Sequence, residues 1–198
     1  MKIEIRNNSI TIDGYVNAVG RDSLPIRSRF GTFIEQIVPG AFKRSLEVNK
    51  NVRMLLNHDK DRDLGGTDSN LKLFEDNIGL RAIAEITDAE VIEDAKQGKL
   101  RGWSFGFTEA KASEEETSKG IKRRFVEDLN LLEVSIINQK KTPCYAGTSI
   151  EMRADGQNES IETRELDTEA IITETETETK NIIDYSDYKK RAEALKGE

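Results

Sequence analysis

Residues 101–107 have the sequence Arg101-Gly102-Trp103-Ser104-Phe105-Gly106-Phe107, in which aromatic and small residues alternate. Side chains alternate between the two faces of a strand, so the pattern predicts a strand with Ser104 on one face and Phe105 and Phe107 on the other. The aromatic residues of this stretch are expected in the core. Glycines on both sides of the serine let other atoms approach the backbone closely. Ser104 is therefore a candidate nucleophile on a buried strand.

Most of the chain around this stretch has the pattern of short strands. Two helices are predicted between them, at residues 41–48 and from Thr87 or Asp88 to Gly98. Turn residues, including Gly65-Gly66, predict a loop at 61–69, and charged residues predict a loop at the tip of a hairpin at 111–122. Many closely spaced antiparallel strands favour a mainly β fold with a few helices (α+β), closed into a barrel, over a doubly wound α/β fold. Strands are predicted within residues 2–12, 14–19, 52–56, 71–75, 80–86, 124–130, 132–138 and 148–152.

The charge of the chain is unevenly distributed. The 198 residues have a formal net charge of −7, and residues 151–198 carry 14 acidic and 7 basic side chains, which leaves residues 1–150 neutral. A neutral body has no electrostatic footprint for nucleic acid. The chain also has no apolar run of 18 residues and no basic-then-apolar leader. We therefore expect no nucleic-acid partner, no membrane partner and no signal peptide.

The composition changes near residue 152. Thr and Glu alternate over residues 173–179, which leaves no apolar face to bury. Apolar residues recur at helical spacing over 181–196, which predicts a short amphipathic helix there as the alternative to a disordered tail. We predict a β-barrel domain over residues 1–152 and an acidic low-complexity tail over 153–198 that is either disordered or removed.

A serine nucleophile needs a base, and His58 is the only histidine. It follows the predicted strand 52–56, and imidazole can both take up and return a proton. Residues 102–106 also match the G-x-S-x-G elbow of α/β-hydrolases, but there the histidine follows the serine in the chain. No histidine follows Ser104, so an esterase of that type is disfavoured. The alternative is that His58 is structural.

Two acids compete to orient His58, namely Glu133 and Asp59. Glu133 lies within an apolar stretch, and a buried carboxylate is costly unless it has a partner. A histidine N–H would be such a partner, because a carboxylate there stabilises the imidazolium. Asp59 is adjacent to His58, and adjacent strand residues point to opposite faces. Glu133 is the preferred third member of the group.

Other kinds of site have little support. One histidine and one cysteine cannot form a common zinc site, the acids from Asp59 to Asp63 lack the EF-hand pattern, and Gly65-Gly66 is too short for a phosphate cradle. We therefore predict no metal and no cofactor. Cys144, the only cysteine, excludes an internal disulfide and is expected to be an idle thiol. Four basic residues are either surface charges or a cation for an oxyanion hole: Arg123, Arg124, Lys140 and Lys141.

Several separated motifs together resemble the prohead proteases of tailed phages, the HK97-type capsid maturation serine proteases. The resemblance spans roughly residues 10–150, and Cys144 stands where that family tends to have alanine. It implies a herpesvirus-protease-like β-barrel, with His58 as the base, Ser104 as the nucleophile and Glu133 as the third member. The motifs, in order, are Gly14-Tyr15, Glu35-Gln36-Ile37-Val38-Pro39-Gly40-Ala41-Phe42, Leu56-Asn57-His58-Asp59, Leu64-Gly65, Gly98 to Phe107 and Leu132-Glu133-Val134-Ser135-Ile136.

The same resemblance implies an activity and a place of action. It implies a serine endopeptidase that cuts the major capsid protein and the scaffold (delta domain) inside the assembling procapsid, in the host cytoplasm, and then cuts itself. A homo-oligomer is implied as well. The alternative is a non-enzymatic assembly factor with the same fold, which guides shell construction through its acidic tail. Labelling by a serine-reactive fluorophosphonate separates the two hypotheses.

Overall fold

The computed structural model describes residues 1–28, 31–118, 120–139, 162–167 and 171–174. The predictions for Lys140, Lys141 and Cys144, the predicted strand at 148–152 and the predicted helix at 181–196 lie outside these residues. The described helices are α1 (Ala41–Val48) and α2 (Ala89–Lys96). The described strands are β1 (Lys2–Ile5), β2 (Ile10–Ala18), β3 (Ile26–Ser28), β4 (Gly31–Ile37), β5 (Arg53–Leu56), β6 (Asp59–Gly66), β7 (Leu71–Glu75), β8 (Gly79–Ile86), β9 (Leu100–Glu116), β10 (Lys122–Asn138), β11 (Glu162–Asp167) and β12 (Ile171–Glu174).

These strands form two sheets. The first has five strands in the order β12-β1-β2-β8-β7, with β12 parallel to β1 and the other pairs antiparallel. The second has seven strands, with β11-β9-β10-β4-β3 as its main path and β5 and β6 attached through β10. The strands predicted within residues 2–12 are confirmed as β1 and the first part of β2, which pair antiparallel.

The predicted closed barrel is not found in the described part of the chain. Both sheets are open, because the first ends at β12 and β7 and the main path of the second ends at β11 and β3. One buried cluster contains apolar residues of both sheets, including Ile12 and Val16 from the first and Trp103 and Phe105 from the second. Alternating strands bury one face equally well in a sandwich and in a barrel, so the sequence pattern could not separate them. The mainly β composition with two helices is confirmed.

Both helices begin where they were predicted, and each is capped by a carboxylate. Asp88 precedes α2 and accepts the backbone N–H of Val91 at 3.0 Å. Gly40 precedes α1 and has no side chain for capping. Glu75 of β7 takes its place, because its two oxygens accept the N–H groups of Gly40 at 2.5 Å and Lys43 at 2.7 Å. No helix in the described ranges is long and apolar enough to cross a membrane.

The two predicted loops are shorter than expected, because only residues 67–69 of the first are a turn and only the tip of the β9–β10 hairpin remains of the second. Residues 61–66 belong to β6, and β9 continues to Glu116, so only a short turn separates it from β10. Cross-strand ion pairs stabilise the charged end of this hairpin, for example Lys122 with Glu114 at 2.8 Å and Lys111 with Glu127 at 2.5 Å. The charge that suggested a loop is therefore the exposed surface of two long strands.

Candidate active site

The predicted site residues lie where β9, β10 and the β5–β6 turn meet. Ser104 is on β9 and Glu133 is on the neighbouring antiparallel strand β10. The second half of β10 also pairs in parallel with β5, with Ile136 opposite Leu56. His58 follows β5 directly, so the two pairings of β10 bring all three residues to one place.

His58 is held by a tight two-residue turn. Leu56 and Asp59 pair across the turn, and both residues between them have positive φ angles, 56° at Asn57 and 58° at His58. Two-residue hairpin turns of type I′ need positive φ at both central positions, which asparagine and histidine tolerate better than most residues. The Asn57 amide donates to Asn138 Oδ1 at 2.8 Å and accepts the Asn138 backbone N–H at 3.1 Å. This pair of bonds fixes the turn to the end of β10.

Three side chains form a continuous hydrogen-bonded chain. His58 Nε2 lies 2.6 Å from Ser104 Oγ, and His58 Nδ1 lies 2.6 Å from Glu133 Oε1. Ser104 is fully buried, and the His58 and Glu133 side chains are 8% and 13% exposed. An imidazole between a hydroxyl and a carboxylate can take the hydroxyl proton while the carboxylate stabilises the resulting positive charge.

Ser135 supports this chain and was missed by the sequence reasoning. Its Oγ accepts the His58 backbone N–H at 3.1 Å and donates to Glu133 Oε2 at 2.7 Å. It therefore holds both the turn and the carboxylate. The period of two along a strand puts Ser135 on the same face as Glu133, which is the signal that could have identified it.

A β-bulge aims Glu133 at the site. Leu131 pairs with Phe107, but the next aligned pair is Glu133 with Gly106, so Leu132 is an extra residue in β10. If β10 had no bulge and Leu132 paired with Gly106, Glu133 would lie opposite Phe105 and face the core. Residues directly opposite in a sheet share a face, so the bulge moves the carboxylate to the face of Ser104.

Gly106 leaves room for the Glu133 carboxylate. A Cβ atom at this position would lie 2.5 Å from Glu133 Oε1, closer than van der Waals contact allows. The sequence reasoning explained this glycine by close approach to its backbone, whereas the atom that approaches is a side-chain oxygen of the neighbouring strand.

The remaining candidates lie elsewhere. Asp59 is exposed and accepts the Asp61 N–H at 3.0 Å, whereas the contact to His58 Nδ1 comes from Glu133. Arg123 pairs at the surface with Asp22 at 2.7 Å. Arg124 is 12% exposed, and its Nη1 is 3.3 Å from Glu35 Oε2. The expected core position of the aromatic residues is confirmed, since all three are fully buried: Trp103, Phe105 and Phe107.

Strand β11 lies against the site. It pairs antiparallel with β9, with Glu165 opposite Ser104. Ser104 Oγ donates to the backbone carbonyl oxygen of Arg164 at 2.7 Å. The two strands described within residues 153–198, β11 and β12, both pair with strands of the first 152 residues.

Among the described residues, no group of three or more His, Cys, Asp and Glu side chains could hold a metal ion.

Comparison with known proteins identifies a family. The model of the caudovirus prohead serine proteases matches residues 1–163 of the chain. The matched region contains Ser104, His58 and Glu133. The searches of curated proteins and of solved structures gave no match.

Proposed function

This chain belongs to the caudovirus prohead serine protease family, and from that premise we propose that it is a Ser-His-Glu endopeptidase. Its substrates are the capsid and scaffold proteins of the assembling procapsid in the host cell, and its own tail. The observation that carries the proposal is the chain of two 2.6 Å contacts from Ser104 Oγ through His58 to Glu133 Oε1. The herpesvirus-protease-like fold and a homo-oligomer belong to the same proposal and rest on the resemblance.

Ser104, His58 and Glu133 each have one role in the acylation step. His58 Nε2 takes the Ser104 proton while Oγ forms a bond to the carbonyl carbon of the substrate. Glu133 stabilises the imidazolium through Nδ1, and the hydroxyl of Ser135 keeps the carboxylate in position. The peptide C–N bond then breaks, and the leaving amine takes the proton from His58. In the second half of the reaction, water gives a proton to His58 and attacks the ester carbon. The ester C–O bond then breaks, and Ser104 Oγ takes the proton back from His58.

The first prediction tests the nucleophile. Ser104→Ala, co-expressed with the capsid and scaffold proteins, should abolish their cleavage while the melting temperature stays within a few degrees. Ser113→Ala is the matched control, because Ser113 lies on the same strand and contacts Glu127 at the surface, at 2.8 Å. Normal cleavage by Ser104→Ala, read on a denaturing gel, would end the proposal.

One observation favours the non-enzymatic alternative, namely that Ser104 is fully buried and hydrogen-bonded to β11. An assembly factor would keep β11 in place and would not react with a fluorophosphonate during assembly. The protease should become labelled at Ser104, and His58→Ala should prevent the labelling because the hydroxyl has then lost its base.

A further inference from the structure

We propose that Arg164 is the residue on the amino side of a bond that this protease cuts in its own chain, and that Glu35 selects basic side chains at that position. The inference rests on the proposed function and adds a substrate class to it. Its starting point is the contact between Ser104 and the carbonyl group of the Arg164–Glu165 peptide bond.

Strand β11 lies as a bound peptide substrate would. An extended peptide can bind to an open sheet by adding a strand to its edge. β11 forms such an edge, antiparallel to the strand that carries Ser104. The register puts Glu165 opposite Ser104, and the preceding carbonyl oxygen is 2.7 Å from Ser104 Oγ. The peptide bond next to the nucleophile is therefore the one between Arg164 and Glu165.

The Arg164 side chain occupies a buried and charged pocket. It is 3% exposed, and its Nε and Nη2 atoms donate to the two oxygens of Glu35 at 2.7 and 2.8 Å. The guanidinium carbon also lies 5.2 Å from the centre of the Phe107 ring. A bidentate contact with a carboxylate and stacking on an aromatic ring suit the planar guanidinium of arginine better than the ammonium group of lysine.

Glu35 is buried and has a second basic partner besides Arg164. It lies on β4, is 4% exposed, and sits beside Arg124, whose Nη1 is 3.3 Å from Glu35 Oε2. An isolated buried carboxylate is costly, so Arg124 stabilises the charge of Glu35 when Arg164 leaves. The negative pocket thus persists after the tail has been cut, and it can receive a basic side chain of another protein.

The cut itself follows the mechanism given above. Ser104 Oγ bonds to the carbonyl carbon of Arg164, the C–N bond to Glu165 breaks, and the Glu165 nitrogen takes the proton from His58. Water then hydrolyses the ester, which leaves a carboxylate at Arg164 and releases residues 165–198. The present contact joins the Oγ–H group to the carbonyl oxygen, so attack requires the hydroxyl to turn its proton to His58 Nε2 and the carbonyl carbon to come within reach of Oγ.

Intact mass spectrometry of the purified full chain tests the cleavage site. We expect a product that ends at residue 164 in the wild type and in Arg164→Lys, and an uncut chain in Ser104→Ala. Arg164→Gln should slow cleavage of this bond by about 100-fold, because Glu35 loses a buried charged partner. Glu109→Gln is the matched control for the Glu35→Gln variant used below, since Glu109 is an exposed residue that also contacts Arg124.

Peptide cleavage in trans tests the pocket. The probe is a fluorogenic peptide, Glu-Thr-Arg-Glu-Leu-Asp, compared with versions that have Gln or Asp in place of Arg. The processed enzyme should prefer Arg over Gln by about 100-fold in kcat/KM. Glu35→Gln should remove most of that preference, and Glu35→Lys should favour the Asp peptide. Fluorophosphonate labelling of Ser104 in each variant verifies that the site is still folded.

The outcomes separate this inference from the proposed function. An enzyme that is labelled at Ser104 but leaves the 164–165 bond intact, or cuts it equally fast in Arg164→Gln, overturns the inference and leaves the protease proposal standing. Equal use of the Arg and Gln peptides by the labelled wild type overturns the role of Glu35. A wild type that is neither labelled nor able to cut any substrate contradicts the protease proposal itself.

Discussion

At the scale of single residues, the candidate site depends on a glycine, Gly106, because a residue with a side chain would not fit there. Gly106 lies directly opposite Glu133, and only a glycine leaves the carboxylate its position 2.6 Å from His58 Nδ1. A second prediction follows: Gly106→Ala should displace the carboxylate and lower kcat/KM by about 100-fold, as misplacement of a catalytic group does. The melting temperature should fall too, and labelling kinetics of the folded variant separate the two effects. Full activity in Gly106→Ala would mean that the orientation of Glu133 is unimportant.

A third prediction compares the two acids near His58. Glu133→Gln keeps the size of the side chain but removes the charge that stabilises the imidazolium, so kcat should fall by about a thousandfold or more. Asp59→Asn is the matched control and should leave kcat unchanged, because Asp59 is exposed. If kcat falls after Asp59→Asn and not after Glu133→Gln, Asp59 has the orienting role.

The sequence identified the three residues of the candidate site but not what holds them. Ser104, His58 and Glu133 follow from residue type and motif order, and their catalytic roles stay predictions. The spacing of two residues from Glu133 marks Ser135, but Gly106 needed the register of β9 with β10, which one extra residue, Leu132, changes. The contact between Glu35 and Arg164 spans 129 positions of the chain, and no local pattern predicts a pairing at that distance.

At the scale of elements, α1 depends on a cap from another strand. Glu75 accepts two N–H groups at the start of a helix whose preceding residue, Gly40, has no capping side chain. Our fourth prediction is that Glu75→Gln lowers the free energy of unfolding by about 1 kcal/mol, because it weakens the cap and removes a negative charge from the positive end of the helix dipole. Glu47→Gln, later in α1 and exposed, is the control and should have little effect in urea unfolding. Equal effects of both changes would show that the cap contributes nothing.

At the scale of the whole molecule, the sequence predicted the elements better than their assembly. The turn at Pro39-Gly40 located α1, a capping residue located α2, and alternation located most strands, because these patterns are local. Closure of a sheet depends on which edges pair, and the same alternation is compatible with two open sheets. The division of the chain at residue 152 remains a prediction, although β11 and β12 pair with the first part of the chain.

A fifth prediction concerns the acid stability of the molecule. The Arg81 guanidinium on β8 donates two bonds to Asp13 on β2, at 2.8 and 2.7 Å, and holds the pKa of Asp13 below its usual range. The ionised carboxylate therefore favours the folded state, and this contribution is complete above about pH 4 and is lost as the pH falls through the lowered pKa. Asp13→Asn should lower the free energy of unfolding at neutral pH and approach the wild type in acid, as measured in urea. Asp61→Asn, an exposed control, should follow the wild type throughout, and a pH-independent difference for Asp13→Asn would contradict the prediction.

The bulge at Leu132 separates β10 into two independently aligned segments. The segment before it is aligned with β4, where Arg124 lies opposite Glu35, and the segment after it is aligned with β5, next to His58. If Glu35 and Ser104 have the roles proposed above, insertions or deletions in the first segment would alter which peptides are cut and leave the reaction at Ser104 unchanged.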